Sequence, residues 1–237
     1  LSTGDLLPSM DASTVDVVDS WIAELCRNES FWHQRLLQME PVELPFAVRS
    51  TAGAGNFQWR EFSSARRVAG LPSLVHTAPS SVLIAALALL FGRLGGKAAF
   101  ALAYVPETAA ALPAAVARHI EYVVPVPVTI TPTQSFAALC ADIDTALQNT
   151  ERRVGWLGDL RAREPDLKNV ADCAGFPVRI LRAGSPDETA ARKFASGAAL
   201  CLQVAADGAA MGVLSDADCI DAQSVTRLLN HLDVLIN

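Results

Sequence analysis

Residues 82–91 read VLIAALALLF, ten apolar side chains in succession. As a helix this segment is apolar on every face and must be covered on every side, so it belongs near the centre of whatever fold contains it. It is half the roughly 20 residues needed to cross a bilayer, which makes it a buried helix and not a membrane span. Pro79-Ser80-Ser81 supplies its start, with a serine expected to accept from the unpaired amides of the first turn, and Gly95-Gly96 its stop.

The segments around this helix alternate in period. Residues 14–38 place Val15, Val18, Trp21, Ile22 and Leu25, then Trp32, Leu36 and Leu37, at helical spacing; the polar run Arg27-Asn28-Glu29-Ser30 predicts a break between two amphipathic helices. Residues 40–45 read as extended, and 56–62 (NFQWREF) as a strand. Segments 98–105, 121–130, 175–182, 198–205 and 211–214 are the expected central sheet, with helix 80–94 buried against it. Pro125 and Pro127 each lack a ladder donor and push 121–130 to a sheet edge or a bulge. Asp207-Gly208 turns 198–205 into 211–214 as a hairpin. Two further amphipathic helices are expected, one from Gln134-Ser135-Phe136 through Leu147 and one over 224–236, capped within 221–224. No fixed-period repeat interrupts this alternation, so the fold class is α/β (α+β), a mixed sheet packed against helices.

The 237 residues carry a formal charge of −6 and no basic run, which argues against binding nucleic acid or an anionic membrane surface. The five cysteines are widely spaced without a CxxC pair, so they read as reduced core thiols, with neither a zinc site nor a disulfide framework. Leu1 opens no basic, then apolar, leader; a cytoplasmic location and an excised piece of a longer protein are the expectations.

Five stretches in order resemble the second half of a condensation domain of nonribosomal peptide synthetases, in the chloramphenicol-acetyltransferase-like superfamily. Ser30-Phe31-Trp32-His33-Gln34-Arg35-Leu36 with Pro41-Val42-Glu43-Leu44-Pro45 resembles the family's "YW…L…LP" segment, and 78–96 its buried helix ending "LL.RL.G". Residues 120–130 are similar to its "GxFVNTxPLR" strand through Tyr122, Val123 and Pro127, and 134–139 to its "sFxeLL" helix. Residues 198–236 resemble its closing strand, "dG" turn, strand and helix. The resemblance implies a helical lead-in at 1–29 and a truncated condensation-like domain, a single lobe of that superfamily, at 30–237. It also implies an adenylation domain and a peptidyl carrier protein as partners, with phosphopantetheine on the carrier and no cofactor held by the chain; a homodimer is the alternative partner.

The departures bear on chemistry. The family's catalytic HHxxxDG lies in the half preceding these elements, and this sequence has no His-His pair and no HxxxD. Val124 stands where the family has Asn, and Thr129 where it has Arg. Amide formation of this class needs an imidazole within reach of the attacking amine. Of His33, His76, His119 and His231, His119 alone lies near a matching functional strand; it is the one histidine that could serve, yet it reads first as a helix-end or surface histidine following Arg118, so no catalytic residue is assigned, while His33 reads as ordinary packing beside Trp32, and His231 as polar flank. No G-x-S-x-G elbow occurs, Asp142 and Asp144 point to different helix faces, and the glycines of 92–97 follow a helix instead of opening one, which disfavours phosphate binding. No metal-ligand spacing appears. Trp156 and Leu157, among charges and glycines in an expected loop over 152–160, are the candidate partner anchors, the alternative being that Trp156 folds back onto the core under a crossover loop.

The resulting expectation is a catalytically inactive structural platform or interaction module beside an adenylation domain. The alternative is the acceptor-side lobe of an active acyltransferase whose catalytic histidine lies on another segment or chain.

Overall fold

A computed structural model describes residues 12–48, 55–63, 77–107, 123–153 and 157–236. Its frame is one six-stranded sheet built from β1 (Phe57–Ser63), β2 (Ala99–Val105), β3 (Val124–Thr129), β4 (Val178–Ala183), β5 (Leu200–Ala205) and β6 (Ala210–Asp216). The strands lie in the order β1-β6-β5-β4-β2-β3. The inner strands β2, β4 and β5 run parallel, while β3, β6 and β1 are antiparallel to their neighbours. Every residue of β5 and all but the first of β2 are buried, the continuous apolar reading expected of strands covered on both faces.

The five expected strands are thus one sheet, and 56–62 joins them as a sixth, an edge strand on β6. β3 closes the opposite edge. In an antiparallel pair alternate residues turn both amide groups outward, so prolines two apart can share the outer rim and leave the ladder to β2 intact. The Pro125 carbonyl, on that rim, accepts from Arg35 Nη1 at 3.5 Å. The extended segment after Leu37 pairs with the inner side of β2: Val42 N donates to Ala101 O at 3.0 Å and Ala101 N to Glu40 O at 2.6 Å.

Helix α2 (Pro79–Gly95) is the central helix, with residues 80–88 and 90–92 buried. It packs against α3 (Phe136–Glu151) and α6 (Ala222–Leu235), and over β2 and β5. Its start differs from expectation: Ala78 is the N-cap and no side chain caps it, Pro79 opens the first turn, and Ser81 Oγ instead donates to Asp144 Oδ1 of α3 at 2.7 Å. Its stop is as read, Gly96 taking φ 65°. Ser135 and Asp221 cap α3 and α6 by accepting from Ala138 N and Ser224 N.

The N-terminal segment corrects the two-helix reading. Residues Ala12–Leu37 form one helix, α1, which runs through both the polar stretch 27–30 and the boundary drawn after residue 29. Polar residues on the solvent side of a helix do not break it, and Arg27 Nε donates back to Ala23 O. Trp32 and Leu36 enter the core, whereas Val15, Ile22 and Leu37 are exposed; the side chains of Val18, Trp21 and Leu25 lie outside the described set. The cysteine reading needs one correction, because Cys26 is exposed while Cys140, Cys173, Cys201 and Cys219 are buried free thiols.

Two short helices complete the described elements: α4 (Leu157–Arg163), where a loop was expected, and α5 (Glu188–Lys193), between β4 and β5. Short 3-10 turns at Pro165–Leu167 and Cys173–Gly175 lead from α4 into β4.

Candidate functional site

Polar chemistry concentrates where β2 and β4 end. The last turn of α3 delivers Thr150 and Glu151 to the carboxyl end of β2. Tyr104, 1% exposed, donates from its hydroxyl to Glu151 Oε1 at 2.5 Å. The Glu107 amide donates to both Glu151 oxygens at 3.1 Å, and the Glu107 carboxylate faces Arg182 Nε of β4 at 3.5 Å. Burial, and then the negative charge of Glu151, hold the Tyr104 phenol far above its ordinary range, so it remains a neutral donor.

A cationic group adjoins this cluster. Arg35 of α1 donates to Thr150 Oγ1 at 2.8 Å and lies 4.3 Å over the Phe31 ring; Arg153 lies 4.4 Å over the same ring. Burial, reinforced by the neighbouring Arg153 charge, lowers Arg35 to about 10. Among the described residues neither guanidinium is paired with a carboxylate; Arg153 is held by Asn149 at 3.0 Å. The arrangement locks α1, α3, β2, β3 and β4 to one another. It brings together a phenol, carboxylates and guanidiniums and, among the described residues, no imidazole.

Each sequence candidate can now be located. His119 falls outside the described residues, in the connection from Glu107 to Val123, as does His76. His33 does more than pack: partly exposed at 28%, its Nε2 stands 3.1 Å from Asp166 Oδ2 and 3.2 Å from Oδ1. His231 is exposed on α6. Trp156 lies outside the described residues. Leu157 corrects its assignment as a surface anchor, since it is 1% exposed: the segment coils into α4 instead of forming a loop, and its apolar face, Leu157 and Leu160, turns to the core.

Between α1 and α4 lies a groove of about 270 Å³, lined by Ile22, Cys26, Trp32 and Leu160 and rimmed by Glu29, Asp159 and Arg163. The Arg163 guanidinium bridges both helices, pairing with Glu29 and, at 2.7 Å, with Asp159. An apolar floor with a charged rim has the composition of a contact surface. The sequence does not reveal it, because helical spacing alone leaves open that Ile22 is 44% exposed.

No protein-family model matches the sequence, and no curated protein matches it. Solved structures do. The cyclization–docking bidomain of the EpoB nonribosomal peptide synthetase from Sorangium cellulosum superposes with a TM-score of 0.67 over 99% of this chain and 53% of its own, at 16% identity. The first condensation domain of the calcium-dependent antibiotic synthetase, in complex with a substrate analogue, gives 0.64 over 90% and 51%, again at 16% identity. The chain has a condensation-domain-like fold. Nonribosomal peptide synthetase FmoA3, in its alpha-methyl-L-serine-AMP-bound form, matches with a TM-score of 0.60 over 90% of the condensation-like chain and 25% of its own length, at 16% identity. The condensation-like chain spans about half the length of the first two of these structures. No described helix is long and apolar enough to cross a membrane.

Proposed function

We propose that the condensation-like chain is a catalytically silent module of a nonribosomal peptide synthetase, acting as a contact platform beside an adenylation domain. The observation that carries this reading is a pairing of fold and sequence: the condensation-like architecture is present over the whole described chain, while the 237 residues contain no HHxxxDG and no HxxxD. General-base assistance to an attacking amine needs a positioned imidazole. An adenylation neighbour is supported by the synthetase match whose structure holds an aminoacyl adenylate, the compound such a domain forms. The groove between α1 and α4, beginning one residue after Trp156, is the contact region this reading favours.

A second reading makes the chain the acceptor-side half of a working acyltransferase, with its histidine supplied from elsewhere. It is favoured by one observation, the span of about half of the matched condensation structures. A product assay tests the silent assignment. Purified chain, supplied with an acyl donor on a phosphopantetheinyl carrier protein and an amine acceptor, is expected to give no amide above the protein-free control. Turnover above that control, abolished by His119→Ala, would overturn the silent assignment.

A further inference from the structure

The turn after α4 brings two carboxylates to a histidine on α1. His33 Nε2 lies 3.1 Å and 3.2 Å from the two Asp166 oxygens, and one ligand atom each of His33, Glu164 and Asp166 lies within 4.8 Å of the other two. Glu164 and Asp166 sit at the N-cap and first turn of the 3-10 segment Pro165–Leu167, two residues apart on one short turn.

Two carboxylates this close repel each other unless a positive charge intervenes. The arginines nearby in sequence are committed elsewhere: Arg161 to Asp172 at 3.2 Å, and Arg163 to Glu29 and Asp159. The Glu164 carboxylate has no hydrogen-bond or ion-pair partner among the described residues. What remains is an imidazole nitrogen and two carboxylates, the mixed nitrogen and oxygen donor set of zinc and the neighbouring first-row divalent ions.

We propose that His33, Glu164 and Asp166 form a binding site for a divalent transition-metal cation of the zinc class, which clips α1 to the turn after α4. Donors on one such ion stand about 3 to 4 Å apart. The His33–Asp166 edge already meets that spacing, and rotation of the solvent-facing carboxylates closes the rest, Asp166 being 53% exposed. The open side admits the ion and leaves room for water to complete its shell. Because the donors are separated by 131 and 133 residues (164 − 33 and 166 − 33), the clip joins distant parts of the chain.

The test is a titration of metal-free chain with Co2+ and with Zn2+, in a Cys26→Ser background so that the exposed thiol contributes no ligand. Visible absorption reports the cobalt environment, and competition with Zn2+ should abolish it. Asp166→Asn, Glu164→Gln and His33→Ala are each expected to weaken Co2+ binding at least about tenfold. Affinity unchanged in all three, or no saturable binding by the parent chain, overturns the site. A measurement on the folded parent covers the case in which a variant fails to fold: bound Co2+ should give hyperfine-shifted ring signals from His33 and not from His231, and an unshifted His33 contradicts the proposal.

Discussion

Tyr104, Cys140 and Cys201 share one property: burial opposes their ionisation, so each holds its proton to a higher pH in the folded chain than in the unfolded one. Burial pushes the Cys140 thiol up to about 11 and Cys201 to about 12, while burial and the Glu151 charge raise Tyr104 from 10. At these groups the unfolded chain therefore loses its protons first, and their contribution to stability falls as pH rises, starting near pH 9 for the two thiols and near 10 for the phenol, while Arg35, lowered to about 10, contributes in the opposite direction only above that pH. Below pH 9 these groups contribute no slope. Urea midpoints measured from pH 7 to 11 should be flat, then decline. Tyr104→Phe should cost about 1 to 2 kcal/mol at pH 7, because Glu151 loses one of its donors, and should make the decline above pH 10 shallower. A decline as steep as in the parent would show that Tyr104 ionises in the folded chain. None of this was legible in the sequence: Tyr104 and Glu151 are 47 residues apart, and only the packing of α3 on β2 joins them. The same holds for His33, whose acidic partner lies 133 residues away.

At the scale of elements, legibility followed how completely local pattern decided structure. Helix α2 was readable because an apolar run of that kind has one stable placement, and β3 because two prolines are tolerated at an edge. The unbroken α1 was not, since a polar stretch looks the same whether it ends a helix or faces water. Nor was the sheet order, in which β2, β4 and β5 pair in parallel across long crossovers. The end of α2 isolates one local term. A Cβ at Gly96 would meet nothing within 4 Å, so at φ 65° its penalty is conformational alone. Gly96→Ala should cost about 1 kcal/mol by urea denaturation. Gly212 differs, because there a Cβ would collide with the Trp59 ring, which reaches it from β1. Gly212→Ala should cost more than Gly96→Ala; equal losses would mean that Trp59 swings aside freely.

The whole molecule presents a condensation-like architecture whose order of elements was readable from five weak stretches, because each kept its place relative to the central helix. The proposed contact surface was readable only in part: the segment 152–160 was singled out, yet Leu157 is core and the exposed floor of the groove comes from Ile22 and Cys26 of α1. Where a contact platform meets its partner, a central anchor typically contributes about 2 kcal/mol or more to binding. The most direct measurement is a calorimetric titration of the chain with the adenylation domain that the platform reading places beside it, run for the parent, for Ile22→Asp and for Trp156→Ala. Saturable one-to-one binding, weakened about thirtyfold or more by Ile22→Asp, is the predicted result, with Trp156→Ala reporting whether that residue shares the anchor role. Absence of binding by the parent chain would contradict the platform account.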